Sequence, residues 1–414
     1  MSSGDSQARA TVTQSDETIK SACRYLANLR EERGWLGDET PFKHGSPFKH
    51  DSHPDPGNKI RLLQILPDSG TGLCCFLLEV HTKRPEGGGY HALSYEWGTT
   101  EEQVSIRLNH RSFNIRRNLR LFLLELRSYF ADEVGRQLFF VDAICIDQNS
   151  LDEMNAQVRL MGKIFSEATG VHARLGPHAD DSAAALARWQ AAERHDEIRQ
   201  SNEKLQMQSS RFQAMHLTNA TIQSSQRMLS ARGLEPDLYW KAISALTQRT
   251  YWSWLWILQE VLLAQNLSFW CGDIQLSGKT YTLFNLLDPA FHLIDLGPKR
   301  YNPAFAGSTG TSYQRLTERL RASDKSLANL TLQTLIEDFG DAMCSDLHDR
   351  VYGLMGMAQT PDESPPDIDY SKPLEVLFFE VLRVCKPSKR QKFSDCLMKA
   401  LGLDSSYTID LSRR

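Results

Sequence analysis

The sequence predicts an α/β fold, a parallel sheet carrying a helical insertion and a helical C-terminal extension, and three observations carry that prediction. Between Asn114 and Gly176, short apolar runs alternate with helical patterns long enough to cross over a sheet, as in parallel βαβ units. Residues 60–97 hold short apolar runs separated by turns: IRLLQIL, LCCFLLEV and HALSYEW. Beyond about residue 280 the pattern is mostly helical, as in LANLTLQTLIEDF and PLEVLFFEVLRVC.

The elements follow in order. Residues 1–14 are polar with no apolar period, a composition that predicts disorder. From Asp16, the residues Ile19, Cys23, Leu26 and Leu29 recur at helical spacing behind a Ser/Asp cap, which predicts a helix to about Arg33. The stretch 38–58 is rich in Pro, Gly, His and Asp and reads as a linker or long surface loop, so residues 1–58 form an N-terminal helix and linker. The α/β domain is expected over 59–280. Within it come a turn at Gly87–Gly89, a helix on Leu119, Phe122, Leu123 and Leu126, and a strand over LFFVDAICI (138–146). A helix from Met154 to Ala168 and a strand over VHARLG (171–176) follow. Residues 178–240 are polar and helical, with abundant Gln and Ser, and predict an insertion between two sheet elements. A Trp-rich helix (251–264) and a strand (NLSFWC, 266–271) resume the core pattern, and 281–414 form the helical C-terminal region. There is no internal repeat.

Composition narrows the function. The 414 residues include 47 Lys+Arg against 51 Asp+Glu, a formal charge of −4, and a general nucleic-acid binder needs the basic excess that is missing here. With 41% hydrophobic residues the chain can bury a core. No run of 18 uncharged apolar residues occurs, and the N-terminus has no signal-peptide core, so no membrane span and a cytoplasmic location are expected. The eight cysteines include no CxxC and no zinc-ligand spacing, which predicts free thiols in a reducing compartment and no bound metal.

Several apparent motifs fail. GDIQLSGKT (272–280) has five residues, not four, between its first Gly and Gly-Lys, so it is not a phosphate-binding loop. The glycines at 87–89 lack a G-x-G-x-x-G frame opening a helix and read as a hairpin turn. No Ser/His/Asp arrangement stands out.

Four segments are specific as a set: YHALSYEWG (90–98), LFFVDAICIDQNSLDEMNAQVRLMGKIFSEATGVHARLG (138–176), WLWILQEVLLA (254–264) and DLHDRVYGLMGMA (346–358). In these the sequence resembles the fungal heterokaryon-incompatibility (HET) domain, whose hallmarks are ALSY-x-WG, W-I-D-A-I-C-I-x-Q followed by E-x3-QV-x2-M, R-x-W-x2-R-x-W-x2-QE-x2-LA, and D-x-RD-x-x-Y. The resemblance covers roughly residues 60–370. Trp254 and His348 stand where that family usually has Arg, and Tyr251 and Arg174 where it usually has Trp.

HET domains in turn resemble Toll/interleukin-1 receptor (TIR) domains, which implies a TIR-like, flavodoxin-like sheet. In TIR order, this chain gives Ser94-Tyr95 at the end of a strand, a helix, Val141-Asp142 with the ICIDQN loop, a helix, VHARLG, and the W-x3-E of Trp256 to Glu260. The resemblance implies a cell-death effector in which Glu260 cleaves NAD at the nicotinamide–ribose bond. NAD is then substrate, with no prosthetic group. It also implies self-association and a partner that is an incompatible-allele product or a sensor protein.

The chemistry is consistent with one carboxylate. Nicotinamide leaves NAD as a neutral molecule, so no general acid is required as in ordinary glycoside hydrolysis. A carboxylate that holds the ribose hydroxyls and stabilises the oxocarbenium-like transition state suffices. Positions 256 and 260 lie one above the other on a helix face. In a flavodoxin-like sheet the ligand cleft lies beyond the carboxyl ends of the strands. That is where the resemblance puts Ser94, Tyr95, Glu96, Trp97, Gly98, the 176–178 turn, Asp142 and Trp256, with Trp97 available to stack on a base and Gly98 open to a pyrophosphate.

Other readings stand beside these. Glu260 on an apolar helix also fits a structural acid paired with Arg or Lys. Asp142 fits a helix cap as well as a ribose ligand. Glu153 fits the dipole of the helix it opens. Asp349 and Arg350 are expected to form an ion pair, and Cys145 reads as a packed thiol. A non-enzymatic signalling module acting through TIR-like contacts, and a nucleotide sensor without turnover, are the rival functions.

Overall fold

The structure, a computed structural model, describes residues 47–53, 55–67, 70, 72–81, 89–183, 186, 242, 245–246, 248–277, 330–358, 365–385 and 390–403. The expected first helix and nearly all of the 178–240 insertion lie outside these residues. The chain forms two compact units. One contains the residues up to Leu93, Trp97–Leu160 and Glu167–Gly170, and the other Ser94–Glu96, Met161–Ser166 and Val171 onward.

The first unit is built on strands β1 (Lys59–Ile65), β2 (Cys74–His81), β3 (beginning at His91), β4 (Gln103–Leu108), β5 (Arg111–Arg116) and β6 (Leu138–Phe140), in the order β5-β4-β2-β1-β6-β3. β1 runs antiparallel to β2 from Lys59↔His81 to Ile65↔Cys75, and antiparallel to β6. β2 with β4 and β3 with β6 are parallel pairs. The fold is α/β as expected, but the sheet is mixed. The reason is local: β4 and β5 are joined by two residues, Asn109 (φ 46) and His110 (φ 65), and so tight a turn leaves only the antiparallel arrangement.

Helix α1 (Arg117–Phe130) buries Leu119, Phe122, Leu123 and Leu126, the positions whose spacing predicts it. After β6 the chain does not continue extended to 146. It makes one helical turn, α2 (Asp142–Cys145), closed by Cys145 N donating to Val141 O at 2.7 Å. Val141, Ile144, Cys145 and Ile146 are all buried, and in so apolar a run periodicity cannot tell a buried strand from a buried turn. Helix α3 (Leu151–Glu167) starts at Ser150, whose side chain accepts from Glu153 N.

A buried ion pair ties this unit together. Arg61 of β1 donates to both carboxylate oxygens of Glu153, at 2.5 and 3.0 Å, and also to Cys145 O and Asp51 O. Asp147 N adds a hydrogen bond to the same carboxylate. Glu153 is therefore structural, through a partner on another element as well as through the helix dipole.

The second unit holds β7 (Gly170–Arg174) parallel to β8 (Leu267–Cys271), and β9 (Ile274–Ser277) antiparallel to β8. Its helices are α4 (Trp256–Leu262), α5 (Leu332–Phe339), α6 (Asp349–Met355), α7 (Leu374–Cys385) and α8 (Arg390–Ala400). The expected Trp-rich helix is shorter than 251–264, because Thr250–Ser253 is a separate 3₁₀ turn. Leu335, Ile336, Phe339, Val351, Leu354, Leu377, Phe378, Val381 and Leu397 build the helical core. Among the described residues no helix is long and apolar enough to cross a membrane.

Candidate functional site

The residues singled out by sequence fall into two groups, one in each unit. In the first unit, half-buried Trp97 donates its indole Nε1–H to Asp142 Oδ2 at 2.9 Å. The other oxygen of Asp142 accepts from Ala143 N at 2.7 Å. The residue capping α2 is Val141, so the Asp142 side chain does not serve as the helix cap that one reading expected. It fixes an indole instead. Arg116 covers the Trp97 ring at 4.9 Å from its centroid and donates to Gly98 O at 2.6 Å. Gly98 has φ +79, and a Cβ there would lie 2.7 Å from Asn118 Nδ2, so this turn depends on glycine.

In the second unit, Ser94 and Tyr95 are buried, and Ser94 Oγ lies 2.7 Å from Tyr251 Oη. Thr250 Oγ1 donates to Glu96 Oε2 at 2.7 Å. Tyr251 supplies the hydroxyl that Ser94 engages. Burial, with the nearby Glu260 charge, holds that phenol well above its usual range. Glu260 itself is 7% exposed, on the buried face of α4 with Ile257, Leu258 and Val261.

One turn earlier, Trp256 reaches the C-terminal helices. The Asp349 carboxylate accepts from Tyr370 Oη at 2.6 Å and from the Trp256 side chain, and burial pushes its pKa up to about 6. The expected Asp349–Arg350 ion pair does not form, because Arg350 turns away and donates to Ala400 O at 2.7 Å. His348 bridges Asp346 Oδ1 and Lys372 O, both at 2.6 Å. Cys145 is 1% exposed and its thiol is pushed up to about 12 by burial, the state of a packed side chain and not of a nucleophile.

Arg116, Thr250 and Tyr370 carried no signal in the sequence. Asp349 lies inside a motif segment and Tyr251 three residues before one, but neither was given a role in a site. The signal that could have flagged them was the Tyr251 exchange and the acid preceding a buried apolar helix in DLHDRVYGLM.

Comparison with known proteins follows the same segments. Residues 90–260 match the family model described as heterokaryon incompatibility protein (HET). The chain is 28% identical over 379 residues to heterokaryon incompatibility protein 6, OR allele, of Neurospora crassa (strain ATCC 24698 / 74-OR23-1A / CBS 708.71 / DSM 1257 / FGSC 987), covering 82% of this chain and 54% of that protein. It thus spans about half the length of that curated relative. No solved structure matches. The match begins at Tyr90, just before HALSY, and ends at Glu260, the acid of W-x3-E, so that residues 90–260 of this chain are similar to a heterokaryon-incompatibility domain.

Proposed function

We propose that this chain acts in heterokaryon incompatibility as a cell-death effector and that Glu260 hydrolyses the nicotinamide–ribose bond of NAD. The first part is supported by the HET match and by the name of the Neurospora crassa relative. The second is supported chiefly by the placement of Glu260 on the interior face of α4, one turn after an anchored Trp256 and beside the Tyr251–Ser94 pair. A carboxylate largely removed from water interacts more strongly with developing positive charge than an exposed one.

In the reaction the C1′–N bond breaks and its electron pair passes to the pyridinium ring, which leaves neutral. Water then bonds to C1′ and releases a proton, giving ADP-ribose and nicotinamide. Glu260 stabilises the ribosyl cation between these events. Trp97, Gly98 and Asp142 in the first unit, and separately Ser94, Tyr95 and Trp256 in the second, remain residues proposed to contact a nucleotide, and self-association the proposed trigger. Incubating the purified chain with NAD should release nicotinamide, more per molecule as protein concentration rises. Glu260→Gln should abolish the release, a loss of about a hundredfold or more for a charge-stabilising group.

A second reading is a non-enzymatic module that recruits a partner protein. It is favoured by Val376 and Phe379, neighbours at i and i+3 on α7 that are 45% and 49% exposed. Absence of nicotinamide release from clustered protein would select it.

A further inference from the structure

The family match ends at Glu260, yet the helix that carries Glu260 is gripped by residues beyond it. Leu255 N donates to Met343 O and Met343 N to Ser253 O, both at 2.8 Å. Gly353 lets α6 approach so closely that a Cβ there would lie 3.1 Å from Leu255 and 3.6 Å from the Trp256 ring. Gln259 Nε2 donates to Gly353 O at 3.4 Å. The polar centre of this contact is Asp349, 6% exposed, which accepts from Tyr370 and Trp256.

We propose that Asp349 is a positioning residue: its carboxylate holds the Trp256 indole and thereby fixes the helix that presents Glu260. The inference rests on the NAD-cleaving reading of that helix. The donors reaching Asp349, namely the Tyr370 hydroxyl, the Trp256 indole and the Asp346 backbone, are neutral and would be satisfied by an amide oxygen, so packing alone does not call for a buried charge. Its surroundings contain no compensating contact from the adjacent guanidinium, which is spent on Ala400 O. The titratable groups around it are Asp346, His348, Arg350 and Tyr352 on α6 and its approach, Tyr370 and Asp369 on the following segment, and Cys344. A carboxylate retained where it is costly, beside specific partners, is a functional-site candidate.

The test uses the full chain and Asp349→Asn, Asp349→Ala and Trp256→Phe variants, with two readouts. The Trp256 fluorescence, taken as the difference from the Trp256→Phe partner in each background, should titrate between about pH 5 and 7 in the parent and be flat in Asp349→Asn. Asp349→Ala should lower kcat for nicotinamide release about ten- to a hundredfold with KM within about twofold, since misplacing a catalytic group costs this much, and Asp349→Asn should restore part of it. PH-independent Trp256 fluorescence, or Asp349→Ala with parental kcat in a folded protein, overturns the proposal. If the parent releases no nicotinamide, the NAD-cleaving reading fails, and the fluorescence titration by itself decides whether Asp349 holds Trp256.

Discussion

The Tyr251 hydroxyl lies 2.7 Å from Ser94 Oγ, with both side chains buried in the second unit. Each is the other's hydrogen-bonding partner, so removing one strands the other. Tyr251→Phe should cost about 1–3 kcal/mol by leaving the Ser94 hydroxyl unsatisfied. Adding Ser94→Ala should recover much of that loss, which urea unfolding of the two single variants and the double variant would show as strong non-additivity.

The Arg61–Glu153 pair makes a similar prediction at larger scale. Both side chains are under a tenth exposed, and Glu153 also receives Asp147 N. Arg61→Met leaves a buried carboxylate without its cation and should destabilise by about 3–5 kcal/mol. Arg61→Met with Glu153→Gln should cost clearly less than the sum of the singles in chemical denaturation.

Asp349 predicts the pH dependence of stability. Its carboxyl is raised from 3.8 to about 6 by burial, so between these values the folded chain keeps a proton that the unfolded chain has released. Stability contributed by this group is therefore complete below about pH 4 and is lost as pH rises to about 6, a change of roughly 3 kcal/mol for about two units. Asp349→Asn should flatten that limb and be more stable than the parent above pH 7, by thermal melts across the range.

Gly98→Ala should cost about 1–2 kcal/mol, because φ +79 is unfavourable for a residue with a Cβ and Asn118 must shift. Gly57→Ala, where a Cβ meets nothing within 4 Å, is the control and should change the melting temperature little.

Parts of the fold were legible because they follow from local spacing. Leu119, Phe122, Leu123 and Leu126 announce α1, and VHARLG announces β7 one or two residues out of register. The β4–β5 hairpin was not legible: its turn is Asn109-His110, without the glycine that marks such turns, and its strands alternate weakly. LFFVDAICI reads as a strand throughout because Phe139, Phe140, Val141, Ile144, Cys145 and Ile146 are all buried, whether the backbone is extended or turned.

The sequence by itself determined the α/β class, the motif set by which the chain resembles HET domains, and the four-residue register that places Trp256 and Glu260 a turn apart. Only the tertiary structure decided what those side chains touch. Asp142 meets Trp97 across 45 positions, Glu153 meets Arg61 across 92, and Trp256 meets an acid 93 positions away in a helix beyond the matched region. Periodicity reports which face of an element is buried, because burial follows from the helix and strand repeats. Which polar group satisfies another inside that buried surface depends on how distant elements pack and on which donors are cut off from water, and no local pattern carries that information.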